Sequence, residues 1–269
     1  MARSVRHVRT RHARHARWVR PVAGFAVAAG LVVTVSACGA DAGDDTEPDH
    51  RSFALQGRTL TVDSDDSALE LVTADSSDAK KVQVTRWFQG SVAIGADPEV
   101  SWKMRDDRLV LRMKCTGVIA DCSAKYRIVV PRDIAVTVRD GDGRVTARGF
   151  EQALDIRTSD GAVHVTDSSG PLTLHSADGQ VTARGIDSRE VRATTQDGAV
   201  RLALGSVPDL VESSSQDGSV TVELPKAQYR VKTRTSDGAV HVSVPRDDSS
   251  PHVVSVRTSD GSVTLRTAN

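Results

Sequence analysis

From residue 136 to residue 265 the chain alternates apolar and polar positions in short runs, and the runs recur around one dipeptide. Asp-Gly stands at Asp142, Asp160, Asp178, Asp197, Asp217, Asp237 and Asp260, in steps of 18, 18, 19, 20, 20 and 23 residues. Three residues after each aspartate is a valine: Val145, Val163, Val181, Val200, Val220, Val240 and Val263. Two further on are Ala147, Val165, Ala183, Leu202, Val222, Val242 and Leu265; six before the aspartate are Val136, Leu154, Leu172, Val191, Val211, Val231 and Val254. Two before it is Ser or Thr in six units (Thr158, Ser176, Thr195, Ser215, Thr235, Thr258), with Asp140 in the first. The unit reads Φ-x-Φ-x-[S/T]-x-D-G-x-V-x-Φ, two alternating strands around one corner. Alternation sends one face inward. The position after each valine is polar (Thr146, His164, Thr182, Arg201, Thr221, His241, Thr264), as an outward face requires.

Like residues in register over seven units predict an all-β, single-domain β-solenoid, parallel β-helix-like. Each 18–23-residue coil would bury its apolar face against its neighbours. The rival is an antiparallel meander or sandwich of hairpins, because a two-residue Asp-Gly loop is a strong hairpin signal. Alternation does not separate the two; the in-register columns favour the solenoid. Residues 51–137 lack the motif but hold strand-like runs at Thr59–Val62, Lys81–Trp87, Arg108–Met113 and Tyr126–Val130. These are read as irregular early coils or a cap, and residues 138–269 as the repeat proper. No cap is visible before Asn269, so the last coil is expected to be an open edge.

The N-terminus says where such a body sits. Residues 1–37 hold seven arginines (Arg3, Arg6, Arg9, Arg11, Arg14, Arg17, Arg20) and no acid. The mostly apolar run from Val22 to Val35 is too short to span a ~30 Å hydrocarbon core comfortably. Val35-Ser36-Ala37-Cys38 resembles the bacterial lipobox, which implies cleavage before Cys38 and lipid on its thiol. An ordinary secretory signal with Cys38 incidental, or a retained transmembrane helix, are the alternatives; no Arg-Arg pair supports a twin-arginine route. Residues 39–50 carry five acids and no hydrophobe larger than alanine, the composition of a solvated tether. The expected location is the extracytoplasmic face of a bacterial membrane, with the membrane as one partner and a surface or envelope component as another.

Three cysteines are an odd number for an exported chain. With Cys38 lipidated, Cys115 and Cys122 remain, and an oxidising compartment favours a disulfide between them. So short a loop would be stabilised by roughly 2–3 kcal/mol in the chain-entropy account. A metal site is the competing use, but no second C-x-x-C or His pair lies near.

Net charge is zero, 35 bases against 35 acids, yet the body without its leader has 28 bases against the same 35 acids. It lacks the basic footprint of a nucleic-acid binder. Aromatics are 3% of the chain, so Val, Leu, Ile and Ala must fill the core. Arginine outnumbers lysine 28 to 7, which fits a GC-rich bacterium such as an actinobacterium. The lipobox, the cysteine pair ahead of an aliphatic strand ending in Pro131, and the serial T-x-D-G-x-V units resemble the bacterial putative-adhesin domain family. The resemblance covers residues 55–267. It implies a β-solenoid-like, cell-surface, non-catalytic protein of unknown function and brings no catalytic residues.

The aspartate column is the first candidate for chemistry. Coils ~4.8 Å apart would set seven carboxylates in a like-charged row, which a hard cation could bridge. The plainer reading, preferred here, is that each aspartate takes the turn and bonds nearby backbone N–H groups, with Ser/Thr hydroxyls alongside. His164 and His241, about four coils or ~19 Å apart, are too distant to share a metal. Asp140-Gly141-Asp142-Gly143 resembles a calcium-loop opening but has no glutamate at the required offset. No metal or other cofactor is therefore expected. Polysaccharide cleavage needs paired carboxylates and sugar-stacking aromatics, yet after residue 138 the aromatics are Phe150 and Tyr229 alone. The reading is an anchored adhesin-like binding module. The alternatives are an envelope structural or signalling component that docks a membrane partner and, third, a glycan-active enzyme. Trp87, Phe88 and Trp102 are the expected source of any aromatic surface patch.

Overall fold

Branched apolar side chains at every second position favour extended backbone, and 21 strands form among the described residues, 41–75 and 81–268 of a computed structural model. After a short 3-10 turn at Ala42–Asp44 come β1 (Asp49–Ala54), β2 (Thr59–Ser64), β3 (Ala68–Thr73), β4 (Lys81–Val92), β5 (Glu99–Arg105), β6 (Arg108–Lys114) and β7 (Ala120–Val130). The repeat supplies β8 (Ala135–Asp140), β9 (Val145–Arg148), β10 (Leu154–Thr158), β11 (Val163–Ser168), β12 (Leu172–Ser176), β13 (Val181–Ile186) and β14 (Glu190–Thr194). It continues through β15 (Val200–Leu204), β16 (Leu210–Ser214), β17 (Val220–Leu224), β18 (Arg230–Arg234), β19 (Val240–Val242), β20 (Val253–Arg257) and β21 (Val263–Thr267).

Each Asp-Gly corner joins a strand of one sheet to a strand of the other, and successive coils pair in parallel. Val163 pairs with Val181, Val181 with Val200, and Val200 with Val220. The fold is a β-solenoid with two long, mostly parallel sheets. The hairpin rival fails on two counts: the pairing is parallel, and no corner residue has the positive φ that a type I′ turn demands. Between the sheets the valine column is fully buried in six units, from Val145 to Val220 and at Val263.

Stack order departs from chain order at both ends. One sheet runs β1-β4-β7-β3-β9-β11-β13-β15-β17-β21-β19, the other β18-β20-β16-β14-β12-β10-β8-β2-β6-β5. The final coil, β20 and β21, is therefore threaded between the fifth and sixth repeats. The first, β2 and β3, is likewise held between β6/β7 and β8/β9. This corrects the expectation that the last coil is an open edge. The edge belongs to the sixth repeat, where Val240 of the valine column is 42% exposed. The segment after β19 makes the crossing possible by wrapping a buried tyrosine. Tyr229 N–H donates to Pro245 O (3.1 Å), Asp247 N–H to Tyr229 O (3.0 Å), and the Tyr229 hydroxyl to Pro225 O (2.8 Å).

Residues 51–137 provide two of the stacked coils and the opposite end. There β4 adds antiparallel to β7 and β1 antiparallel to β4, while β5 adds antiparallel to β6. Trp102 closes this end, packed against Phe53 and Tyr126 at 6.4 Å between ring centroids, with the Arg51 and Arg86 guanidinium groups over its ring. It is only 3% exposed, so it belongs to the core and not to a surface patch.

Candidate functional site

The corner is built by its Ser or Thr. Ser176 Oγ accepts the Gly179 N–H (2.9 Å) and donates to Gly161 O of the preceding coil (3.0 Å). Thr195 does the same between Gly198 N (3.2 Å) and Gly179 O (3.1 Å), and Ser215 between Gly218 N (2.9 Å) and Gly198 O (2.9 Å). Thr258 continues the series with Gly261 N and Gly218 O. One buried hydroxyl thus satisfies its own coil's amide and ties it to the coil before. The glycine beside it is demanded by close approach. A Cβ on Gly179, Gly198 or Gly218 would sit 1.9–2.2 Å from the preceding glycine's carbonyl oxygen.

The hydroxyls expected alongside do bond the turn; the aspartates, expected to bond its backbone N–H groups, do not, and their side chains project into solvent as a row. Because of the threading, the row runs Asp142, Asp160, Asp178, Asp197, Asp217, Asp260, Asp237. Asp142, Asp178 and Asp217 are held above the ordinary carboxylate range. Neighbouring coils strip part of their water, and adjacent charges add to it: Asp160 beside Asp142, Asp160 and Asp197 beside Asp178, Asp197 and Asp260 beside Asp217. Among the described residues no His, Cys, Asp or Glu group of three or more has metal-holding geometry.

Asp140 differs from the row because it occupies the hydroxyl position of the first corner. It is 8% exposed, and its oxygens face Ser64 and the Gly143 amide without a well-formed hydrogen bond. Burial, reinforced by the charges of Asp66 and Asp142, pushes its carboxyl up to about 7. His164 lies on the outer face of β11 with Nδ1 buried and unpartnered; burial, then Arg144 and Arg184, hold its imidazole below the ordinary range. His241 lies in the edge strand β19. The threading puts five coil steps between the two, ~24 Å instead of ~19 Å.

The family described as Toastrack DUF4097 matches residues 43–267. The chain belongs to that family. Among solved structures it is similar to a putative adhesin from Parabacteroides distasonis, at 12% identity and a TM-score of 0.48, over 84% of this chain and 98% of that one. It is also similar to a putative cell adhesion protein from Clostridium sporogenes (12% identity, TM-score 0.38, 82% of this chain and 100% of that one). A putative adhesin from Bacteroides fragilis gives 15% identity and a TM-score of 0.40 over 83% and 98%. No curated protein matches the chain.

On this Toastrack solenoid the outer faces carry in-register polar rows. One shallow depression is lined by Arg184, Arg201, Thr221, Glu223, Thr264 and Arg266, with Arg266 paired to Glu223. On the opposite sheet Arg192 bridges Glu190 and Glu212. Cys115 and Cys122 are bonded, Cα atoms 6.2 Å apart; Cys38 lies outside the described residues. Sequence reasoning set the Ser/Thr hydroxyls at the turn but missed two features: their bond to the preceding coil's carbonyl and an apolar patch. The exposed Ile94, Val118 and Ile119 stand out only once the arm carrying them is seen.

Proposed function

We propose that the chain is a lipid-anchored, extracytoplasmic, non-catalytic binding module of adhesin-like type. The observation that carries this reading is the arginine-rich outer face of the sheet holding β13, β15, β17 and β21. Its backbone is fixed by parallel pairing, so side chains on adjacent coils stand at a constant ~4.8 Å step. Such a surface suits repetitive recognition of an extended polar partner. The lipobox at Cys38 supplies the anchor. A second reading, an envelope component that docks a partner, is favoured by the open edges β18 and β19, where a strand could add.

Capture from a solubilised native envelope tests both. Arg184→Ser with Arg201→Ser is expected to abolish capture if the outer face binds. Loss on mutating β19 alone would transfer the function to the edge. In cell fractionation, Cys38→Ala is expected to release the chain; continued detergent dependence of that variant would remove the anchor.

A further inference from the structure

We propose that the tip of the arm formed by β4 and β7 inserts into the membrane to which the chain is anchored, so that the solenoid is held at two points. The proposal rests on the lipid-anchored reading above.

The arm continues past the two strands as an antiparallel ladder. Ala93 N–H donates to Ile119 O (2.9 Å), Val118 N–H to Ile94 O (2.7 Å) and Ala96 N–H to Thr116 O (3.3 Å). Neither Ser91–Ala96 nor Thr116–Ala120 contains a charged residue. Ile94, Val118 and Ile119 are 64%, 78% and 66% exposed, three of the four large hydrophobics that the described residues leave in solvent. A free apolar loop would fold back onto the body. Here the Cys115–Cys122 bond closes the loop that carries Val118 and Ile119. Gly95 and Gly117 let its strands approach until a Cβ on either would lie 2.4–2.6 Å from the opposite strand's backbone. The tip is therefore rigid and held outward, and an ordered apolar patch in solvent marks a contact surface.

The course of the N-terminal chain says what it contacts. Asp49 of β1 stands opposite Arg86 of β4, and β1 runs antiparallel to β4, so the chain traced backward from Asp49 heads toward the tip. Asp45 accepts the Phe88 N–H (3.0 Å), and Ala42 is buried at 2% exposure. Three residue steps separate Asp41 from Cys38, a reach of at most ~11 Å. Lipid on Cys38 thus enters a bilayer at the end of the molecule that carries the arm, far from β18 and β19. The anchor turns insertion of the tip into an intramolecular step, so three aliphatic side chains suffice where alone they would bind weakly. Flanking the tip, Asp97, Glu99 and Asp121 outnumber Lys114, so anionic headgroups are not the attraction; the hydrocarbon is.

The test reconstitutes the full lipidated chain into phosphatidylcholine vesicles with brominated acyl chains. Val118→Trp places an indole at the tip, and Arg201→Trp places one on the outer sheet face; both sites are exposed, so neither change disturbs the core. The indole from Val118→Trp is expected to lose most of its emission and shift to the blue, and that from Arg201→Trp to do neither. Adding phosphatidylglycerol should leave the quenching unchanged. Equal emission from the two probes in vesicles that retain the chain overturns the insertion and leaves the anchor standing. A chain that does not float with the vesicles overturns the anchor and the proposal with it. If the Val118→Trp probe shifts only when solubilised envelope proteins are added, the arm docks a protein and membrane insertion is wrong.

Discussion

Asp140 is the one column residue whose chemistry conflicts with its place. Its six counterparts offer a hydroxyl that both accepts and donates, whereas an ionised carboxylate only accepts and is buried without good partners. Protonated, it regains a donor. A carboxyl raised to about 7 in the fold stabilises the fold below its unfolded value near 4, and this contribution is lost as pH rises through about 7. The linkage amounts to on the order of 4 kcal/mol across that window. Asp140→Thr, which restores the column hydroxyl, is expected to raise stability by a few kcal/mol at pH 8 and by little at pH 4. Urea midpoints measured across that range decide it, since an unchanged pH slope in the variant would place the titration elsewhere. The valine column makes a plainer claim. Val200→Asp should unfold the array and Val220→Ala cost about 1–3 kcal/mol, while Arg201→Ala and Thr221→Ala stay within about 0.5 kcal/mol. Equal damage from the outward pair in a denaturation series would contradict the register.

At the scale of the element, the corner is what lets one coil sit on the next. Gly198→Ala would push a methyl into the Gly179 carbonyl at 2.2 Å. Backbone cannot yield as a side chain can, so a loss of about 3 kcal/mol or more is expected. Gly205→Ala meets only the Asp187 carboxylate at 2.7 Å, which can swing away, and should cost under about 1 kcal/mol by the same denaturation measurement. The corner also shows what the amino-acid sequence carries openly. Period, columns and inward face were legible because each repeat buries the same positions against its neighbours. The role of the aspartates was not, since Asp-Gly reads as a hairpin turn wherever the neighbouring coil's carbonyls are unknown. Asp140 was visible as an exception, but its burial depends on the coil of β2 and β3, which lacks the motif. The apolar arm was hidden for a similar reason: Ile94 and Val118 look like core residues until the disulfide and the strand pairing direct them outward.

For the molecule as a whole, threading at both ends places the terminal coils inside the stack. Terminal segments ordinarily fray; here the amides of β20 and β21 are bonded on both sides, to β16 and β17 and to β18 and β19. Hydrogen exchange is expected to show Val254, Val256 and Val263 protected like Val200 and Val220, with His241 and Val242 exchanging first. Fast exchange at Val263 would contradict the stack order. The clamp also bears on how the chain is made. A solenoid can grow coil by coil as it emerges, but this one cannot finish that way. The place between the fifth and sixth repeats belongs to residues that are synthesised after both. Until they arrive the sixth repeat must wait apart or pair wrongly with the fifth, and correct closure then requires that mispairing to reopen. Refolding of a chain truncated after Pro251 should therefore end in a different, weaker stack, and restoring the final coil should add a slow phase to refolding.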